Sequence, residues 1–519
     1  MNWKRPLAIT LAAATFGTTL AACGAPADSG AQASSTPAAQ AQNLSNEAVK
    51  APKYVFLFIG DGMSYPQIQS TADYLGALED ADYWQAEPSL DDNGGAVLDG
   101  PSYLNFMNFE AAGSAVTYDS NSFCPDSAST ATSISTGHKT YSGTINMDET
   151  GTTAYETIAE KVHDQLGMKV GVISSVNLNH ATPAAFYAHQ ASRNDYYEIG
   201  LELVDSGFEY FAGGGLLKPT GAEGDQEDLY TLAEEAGYNV VKAQAEAEQV
   251  TEGPVVIVDE HLADGDAMAY ELDRTDDMWA LADYVEKGIE VLDNDKGFFM
   301  MCEGGKIDWA CHANDAASSI HDTKALADAV QVAIDFAEEH PDETLILVTG
   351  DHETGGLTIG FSGTDYDTYL NLLESQKISF AKYDSDYVAA YKENKTSFED
   401  VLADIETLFG LKTEGEEGDK LVLTPYELSQ LKTAYEKSIN ETATGMDEQQ
   451  EYVMYGTYEP LTVTITHILN NKSGVSFTSY SHTGLPVAVL AHGLNAEQFN
   501  GYYDNTEIFN KLADMLSVQ

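Results

Sequence analysis

The sequence predicts an α/β fold: a three-layer α/β/α sandwich with a central, mostly parallel sheet and an inserted, mainly helical subdomain. Five short apolar runs, each followed by a turn and a helical pattern, support this prediction. They are Tyr54–Ile59, Val170–Ile173, Phe298–Met301, Leu345–Val348 and Pro486–Leu490. Apolar runs without alternation are typical of strands that are buried on both faces by flanking helices. In such sheets, functional side chains collect at the carboxyl ends of the strands.

The alternation of strands and helices stops between residues 362 and 475. Ser397 precedes a helical run with an apolar face, and Thr424 begins a capping box with proline at the first helical position. We therefore expect one large domain over 51–519, in which about 362–475 forms an inserted subdomain. Residues 80–101 are polar and are interpreted as a second insertion.

The first 50 residues indicate export and a lipid anchor. Two basic residues precede an apolar stretch that is too short and too weak for a confident membrane-spanning helix. The following Leu-Ala-Ala-Cys sequence, which ends at Cys23, looks like a bacterial lipobox. We expect a lipoprotein signal peptide over 1–22, lipidation of Cys23 and a flexible tether over 23–50, at the extracytoplasmic face of a bacterial envelope. A plain secretory signal with an incidental cysteine is the alternative.

Charge and cysteine content narrow the class of protein further. The 519-residue chain has 25 Lys and Arg against 83 Asp and Glu, a formal net charge of -58. Nucleic-acid binding is not expected, because it needs many contacts from basic side chains to phosphates. Beyond Cys23, only Cys124, Cys302 and Cys311 remain, so no complete disulfide framework is possible. Cys302 and Cys311 are interpreted as buried free thiols.

Residue types that bind divalent cations recur where the predicted strands end. Asp61 follows the first run, Thr182 lies shortly after the second, and Glu303 follows the third. Asp351 and His352 follow the fourth run. Carboxylate, hydroxyl and imidazole groups are common ligands of zinc or magnesium. Their convergence at one sheet edge indicates a single site for two or three divalent cations.

Five more residues extend this pattern. Asp308 and His312 are four residues apart, so on a helix they share one face and can bind one ion, although such a pair alone is more often a surface contact. His482 is a further candidate ligand. Ser127 begins a small-residue run and is a candidate nucleophile, with a helix N-cap as the alternative. Arg193 is able to bind a phosphate with two N–H groups or to form a surface ion pair. A hydroxyl nucleophile with several metals is what phosphate-ester chemistry needs.

Taken together, these motifs resemble the alkaline phosphatase family. They follow the family order: Ile59-Gly60-Asp61-Gly62-Met63, Asp126-Ser127-Ala128 through Ser135-Thr136-Gly137, Ala181-Thr182-Pro183-Ala184, His189 through Arg193, Glu303-Gly304-Gly305-Lys306-Ile307-Asp308 with His312, Asp351-His352, and His482-Thr483-Gly484. The resemblance covers about 51–360 and 476–515. It implies hydrolysis of phosphate monoesters to an alcohol and inorganic phosphate through a phosphoserine intermediate.

The resemblance also implies a role for each site residue. Ser127 would be the phosphorylated nucleophile, and Arg193 would hold the transferring phosphoryl group. The metals would be two Zn²⁺ and one Mg²⁺, or another divalent cation at the third site. Their ligands would be Asp308, His312 and His482 for one zinc, Asp61, Asp351 and His352 for the second, and Asp61, Thr182 and Glu303 for the third ion. A homodimer is implied as well.

Two positions depart from the best-known bacterial pattern of the family. His180 stands where that pattern has Asp, and Trp309 stands where it has Lys. Other branches carry His and Trp there, so we expect these residues to tune the third site and phosphate release. The rival hypotheses are a phosphodiesterase, sulfatase or phosphonate hydrolase of the same superfamily, and a lipid-anchored binding protein. The third-site residues and Arg193 favour a monoesterase.

Overall fold

The computed structural model describes residues 50–79 and 99–519. The predicted signal peptide, the predicted lipidation site Cys23 and the predicted tether up to residue 49 lie outside the described residues, as does 80–98 of the predicted polar insertion. Among the helices that the structure describes, none is both long and apolar enough to cross a membrane.

A mostly parallel sheet forms the centre of the described chain. The strands of the described residues are β1 (Tyr54–Gly60), β2 (Ala111–Val116), β3 (Lys169–Ser174), β4 (Tyr210–Gly213), β5 (Asn239–Val241), β6 (Val255–Val258), β7 (Phe298–Gly304), β8 (Thr344–Gly350), β9 (Glu353–Thr354), β10 (Thr358–Ile359), β11 (Val475–Ser476), β12 (His482–Thr483), β13 (Val487–Gly493) and β14 (Gly501–Asp504). Ten of them form the central sheet in the order β14-β2-β13-β8-β1-β7-β3-β4-β6-β5, and β10 with β11 and β9 with β12 form two small sheets. Only β13 runs antiparallel to its neighbours in this sheet, β2 and β8. All five predicted runs fall on strands, and the predicted α/β fold class is confirmed.

Helices follow most of the strands. They are α1 (Tyr65–Glu79), α2 (Ser127–Thr136), α3 (Ile158–Lys161), α4 (Ala181–Ala184), α5 (Tyr196–Asp205), α6 (Leu229–Ala236), α7 (Gln244–Ala247), α8 (Leu281–Leu292), α9 (Lys306–His312), α10 (Ala316–Glu339), α11 (Phe380–Tyr383), α12 (Ala389–Asn394), α13 (Phe398–Phe409), α14 (Pro425–Asn440), α15 (Glu448–Tyr455), α16 (Pro460–Lys472) and α17 (Thr506–Leu516).

Each face of the sheet has its own hydrophobic core, because side chains along a strand alternate between the two faces. On the central strand β1, Leu57 and Ile59 belong to a core that includes residues of α2, α5 and α17. Phe56 and Phe58 belong to a second core that includes residues of α8 and α10. Burying one such side chain contributes about 1.5–3 kcal/mol, so both helical layers stabilise the sheet.

The segment predicted as an insertion contains six helices, α11 to α16. Ser397 accepts a hydrogen bond from a backbone N–H of the first turn of α13, and Thr424 forms the predicted capping box of α14. Both predicted helices are therefore confirmed. Ile405, Leu431 and Leu461 from three of these helices are buried in one shared hydrophobic cluster. The assignment of 362–475 as a separate subdomain stays a prediction.

Candidate active site

Three parallel strands bring acidic side chains to one edge of the sheet. Asp61 directly follows β1, and Asp351 directly follows β8. Glu303 lies inside β7 rather than after it, because this strand runs to Gly304, beyond the apolar run that marked it in the sequence. The two outer strands pair with β1 in parallel register, and all three carboxylates are fully buried. A sheet edge with three buried carboxylates is a place for cations.

A first cluster is formed by Asp308 and His312 of α9 with His482 of β12. The Nδ1–H of His312 donates to the Tyr480 carbonyl at 2.6 Å, and the Nδ1–H of His482 donates to the Pro125 carbonyl at 2.6 Å. The two Nε2 atoms therefore face each other, 3.0 Å apart, with lone pairs directed inward. His312 Nε2 also lies 3.3 Å from an Asp308 oxygen.

A second cluster is formed by Asp61, Asp351 and His352, all fully buried. His352 Nε2 lies 3.4 Å from Asp61 Oδ1 and 3.4 Å from Asp351 Oδ2. The rings of His352 and His482 stack with centroids 3.8 Å apart, so the first and second clusters are direct neighbours. Two adjacent sites of this kind place two cations around one reacting group.

A third cluster joins Asp61 and Glu303 to His180. Thr182, which was predicted at this position, has its hydroxyl 3.5 Å from Asp61 Oδ2. Sequence reasoning gave His180 only a tuning role, whereas the structure brings one ligand atom from each of these three buried residues within 4.8 Å of one another. His180, the residue before α4, is therefore a candidate ligand as well as a tuning residue.

Unpaired polar atoms show that these donors fit cations. Asp61 Oδ1 and Glu303 Oε1 are buried, and neither has a hydrogen-bond partner among the described residues. Leaving such an atom unpaired costs about 1–3 kcal/mol, which a bound cation would offset. The nitrogen-rich first cluster suits zinc, and oxygen donors suit magnesium.

Electrostatic repulsion among the carboxylates leads to the same conclusion. Burial, reinforced by Asp351, Asp308 and Glu303, raises the pKa of Asp61 well above its usual range. Burial is also the main cause that raises the pKa of Asp351 to about 8 and of Glu303 to about 7. The carboxylates therefore repel one another when ionised, and divalent cations would allow all these groups to carry their charge.

Ser127 is the first residue of α2 and is buried, 1% exposed. Asp126, not Ser127, is the N-cap, since its carboxylate accepts a hydrogen bond from the Ser129 N–H at 3.1 Å. The alternative that Ser127 serves as the cap is therefore wrong. Its Oγ lies 3.2 Å from His352 Nε2 in the second cluster, where a cation could lower the pKa of the hydroxyl.

Arg193 reaches the site through two partners. One guanidinium nitrogen donates to Asp126 Oδ2 at 2.9 Å, and the other lies 3.0 Å from His180 Nε2. Burial opposes the charge of Asp126, but Arg193 and local hydrogen bonds lower the pKa of that carboxyl below its usual value. The ion pair holds Arg193 next to Ser127, the residue after Asp126, with further N–H groups available for an anion.

A cleft of about 450 Å³ opens over this arrangement. Its walls are formed by Ser127, His180, Arg193, Asp264, Asp308, Trp309, His312, Phe380, Tyr458 and His482. Seven of these residues were selected from the sequence: Ser127 and Arg193 as catalytic, Asp308, His312 and His482 as metal ligands, and His180 and Trp309 as tuning the site. The cleft is large enough for a phosphate and a small leaving group.

Sequence reasoning missed the polar residues that orient the ligands. The Thr354 hydroxyl donates to Asp308, and the Ser174 hydroxyl donates to Glu303. The Thr130 hydroxyl donates to Asp351 at 3.2 Å. Asp126 had a recognisable signal, because an aspartate directly before a helical run is a common N-cap. The hydroxyl partners had none, since they are set by tertiary contacts.

Comparison with known proteins agrees with this geometry. The alkaline phosphatase family model matches residues 52–518. The chain belongs to the alkaline phosphatase family. Alkaline phosphatase 3 of Bacillus subtilis (strain 168) is 30% identical, with 91% of each chain covered. Alkaline phosphatase 4 of the same organism is 28% identical, covering 89% of this chain and 88% of its own. The crystal structure of a cold-active alkaline phosphatase from a psychrophilic Shewanella species is 28% identical, with a TM-score of 0.68, covering 89% of this chain and 99% of that one.

Because the chain belongs to a family of phosphatases, it is an enzyme, and the binding-protein hypothesis is wrong. The expected α/β fold is that of the family's solved structures. Phosphoester hydrolysis by a metal-dependent enzyme follows from the family and agrees with the three clusters of candidate ligands.

Proposed function

We propose that this enzyme hydrolyses phosphate monoesters through a phosphoserine formed at Ser127. The observation that carries the proposal is the position of the Ser127 hydroxyl. It lies at the start of α2, in the cleft that Arg193 lines and 3.2 Å from His352 Nε2. A nucleophile, an anion-binding guanidinium and ligands for cations are thus adjacent, as phosphoryl transfer requires.

The chain's own residues account for both steps of the proposed reaction, the phosphorylation of Ser127 and the hydrolysis of the phosphoserine. Arg193 would bind the phosphoryl oxygens, and Ser127 Oγ would attack phosphorus as its proton leaves to solvent. The bond from phosphorus to the ester oxygen then breaks, and the alcohol leaves with a proton. Water next attacks the phosphoserine, so that inorganic phosphate departs and Ser127 regains its proton. Bound cations supply charge that favours the ionised hydroxyl and the leaving oxygen.

We propose two Zn²⁺ ions and one Mg²⁺ ion as the cofactors. The two imidazoles of the first cluster and His352 of the second support zinc at those positions. Asp61, Glu303 and the Thr182 hydroxyl support magnesium at the third. His180, the third member of this cluster, adds a nitrogen donor, which favours a softer ion there.

We further propose that the enzyme is exported, is anchored to the bacterial envelope through a lipid on Cys23, and forms a homodimer. The lipobox-like sequence that ends at Cys23 supports the anchor. The family resemblance supports the dimer, which sedimentation of the purified enzyme would test.

The test of the proposed function is the Ser127→Ala substitution. Turnover of p-nitrophenyl phosphate should fall by several orders of magnitude while bound zinc, measured by elemental analysis, stays close to wild type. The reason is that Ser127 acts in the reaction and is not a principal metal ligand. Ser120→Ala, a change at an exposed serine on the preceding loop, is the control. Near-normal turnover by a zinc-replete Ser127→Ala protein would refute the role.

A diester substrate separates the proposal from its rivals. Wild-type enzyme should hydrolyse p-nitrophenyl phosphate with a much higher kcat/KM than bis(p-nitrophenyl) phosphate. A preference for the diester would favour the phosphodiesterase hypothesis instead.

A further inference from the structure

The active-site cleft extends past the phosphate-binding end into a wall of aromatic rings. Trp309, Phe380 and Tyr458 all line it, and the rings of Phe380 and Tyr458 meet edge to face with centroids 5.9 Å apart. Phe380 and Tyr458 come from the segment of helices predicted as an insertion. None of these rings belongs to the three clusters of candidate ligands, so they are available to recognise the leaving group.

The contacts along the wall give its order. Arg193 contacts His180 at 3.0 Å, and the His180 ring meets the Trp309 ring edge to face at 6.0 Å. The far edge of Trp309 packs so closely on Gly265 that a Cβ there would lie 2.9 Å from the ring. Along this series of contacts from Arg193, Asp264, the neighbour of Gly265, comes after Trp309.

Asp264 places a carboxylate in this far part of the cleft. Its Oδ1 accepts a hydrogen bond from Lys306 Nζ at 2.7 Å, and its side chain is 40% exposed whereas that of Lys306 is 0% exposed. Lys306 also lies over the rings of Tyr270 and Trp309, 4.0 and 4.6 Å from their centroids. The ammonium is thus held behind the wall, and the second oxygen of Asp264 has no hydrogen-bond or ion-pair partner among the described residues.

The charges along the cleft complement a substrate that carries a negative phosphate at one end and a positive group at the other. Arg193 is the only Lys or Arg side chain that lines the cleft in the described part of the chain, and it lies at the phosphate end. The opposite end offers aromatic faces and a carboxylate. Cations bind to aromatic faces because of the negative potential of the rings, and quaternary ammonium groups are bound in this way.

We propose that this far end of the cleft is a subsite for a positively charged leaving group, so that the enzyme favours phosphate monoesters of amino alcohols, such as phosphocholine. The inference rests on the proposed monoesterase function. Trp309, Phe380 and Tyr458 would surround the ammonium group, and Asp264 would balance its charge. The net charge of -58 also attracts cationic groups toward the protein.

The test compares phosphocholine with 3,3-dimethylbutyl phosphate, in which a neutral tert-butyl group replaces the trimethylammonium group at nearly the same size. Wild-type enzyme should show a kcat/KM about tenfold higher for phosphocholine. Phe380→Leu should reduce that ratio severalfold, whereas Phe380→Tyr, which keeps an aromatic ring, should preserve it. Because both substrates are measured on the same variant, a general loss of activity cancels from the ratio.

Substitutions of Asp264 test whether its negative charge contributes to the preference. Asp264→Asn should also lower the ratio, and Asp264→Glu should retain most of it; thermal unfolding of each variant shows whether it is folded. A wild-type ratio near one would overturn the subsite, as would a ratio that neither Phe380→Leu nor Asp264→Asn changes. A higher kcat/KM for phenyl phosphate than for phosphocholine would also overturn it, in favour of an aromatic leaving group. If the wild type turned over none of these monoesters, nor glycerol phosphate, the proposed function itself would fail.

Discussion

At the scale of single residues, backbone carbonyl groups orient the two histidines of the first cluster. The Nδ1–H groups of His312 and His482 donate to the carbonyls of Tyr480 and Pro125, which leaves each Nε2 facing the cluster. The ligand residues themselves were recognisable in the sequence, because strand ends collect functional groups. No sequence pattern indicates their carbonyl partners. Asp264 follows β6 without any motif, so its place in the cleft was not predictable.

The first cluster gives a prediction for His312. His312→Ala should lose bound zinc and monoester turnover together, because a three-ligand site rarely keeps its ion when one ligand is removed. Elemental analysis after gel filtration and a p-nitrophenyl phosphate assay check both effects. His492→Ala is the control, since His492 pairs with Glu110 and is in none of the three clusters. A His312→Ala protein with normal zinc and normal turnover would contradict the assignment.

At the scale of secondary structure, apolar runs and capping residues predicted which segments form strands and helices. They did not predict the direction of β13 or the end of β7. The run that became β13 was found, but its antiparallel pairing with β2 and β8 was not, because burial on both faces does not encode strand direction. The apolar run Phe298–Met301 predicts a strand that ends before Glu303, because a glutamate interrupts an apolar pattern. In the structure β7 continues through Glu303, which is buried. Helices α13 and α14 were predicted because their caps are local in sequence.

The helices of the 362–475 segment give a prediction about pH. Asp384, next to α11, accepts a hydrogen bond from the Thr462 hydroxyl of α16, and burial raises its pKa to about 7. An acid whose folded pKa is raised is deprotonated more readily when unfolded. Protonated Asp384 therefore contributes its full stabilisation of the fold below about pH 4. This contribution is lost as the pH rises to about 7, the folded-state pKa.

Asp384→Asn should remove this dependence, because asparagine accepts the same hydrogen bond without a charge. The Tm of the variant minus the Tm of the wild type should therefore increase as the pH rises from 4 to 8. Asp386→Asn is the control, because its pairing with Lys382 lowers the pKa of Asp386 and the substitution should bring no such gain. An unchanged difference in Tm between wild type and Asp384→Asn across this range would show that Asp384 is not responsible.

At the scale of the whole molecule, a single sheet edge organises the function. The three carboxylates reach the edge from β1, β7 and β8, which are neighbours in the sheet although their residues are far apart in the chain. The parallel arrangement allowed the sequence to predict this convergence. The helical segment that contributes Phe380 and Tyr458 to the cleft could be located in the sequence, but its contact with the active site could not, because no local pattern records where such a segment docks.

The N-terminal residues give a prediction about location. In a bacterial host, wild-type enzyme should fractionate with membranes, and Cys23→Ser should release it or block its processing, because lipidation requires the cysteine thiol. Cell fractionation with activity assays and mass spectrometry of the mature N-terminus check this. Cys124→Ser is the control, as this exposed cysteine lies in the folded domain. A soluble wild-type protein with an unmodified mature N-terminus would refute the anchor.

The most direct test of the central claim is to trap the covalent intermediate. Zinc-loaded enzyme would be incubated with inorganic phosphate or a monoester at mildly acidic pH, quenched in acid, digested and analysed by mass spectrometry. We expect one phosphorylated peptide, with the phosphoryl group on Ser127, and none in the Ser127→Ala variant. Phosphorylation of a different residue, or turnover without any phosphopeptide under conditions that trap it, would contradict the account.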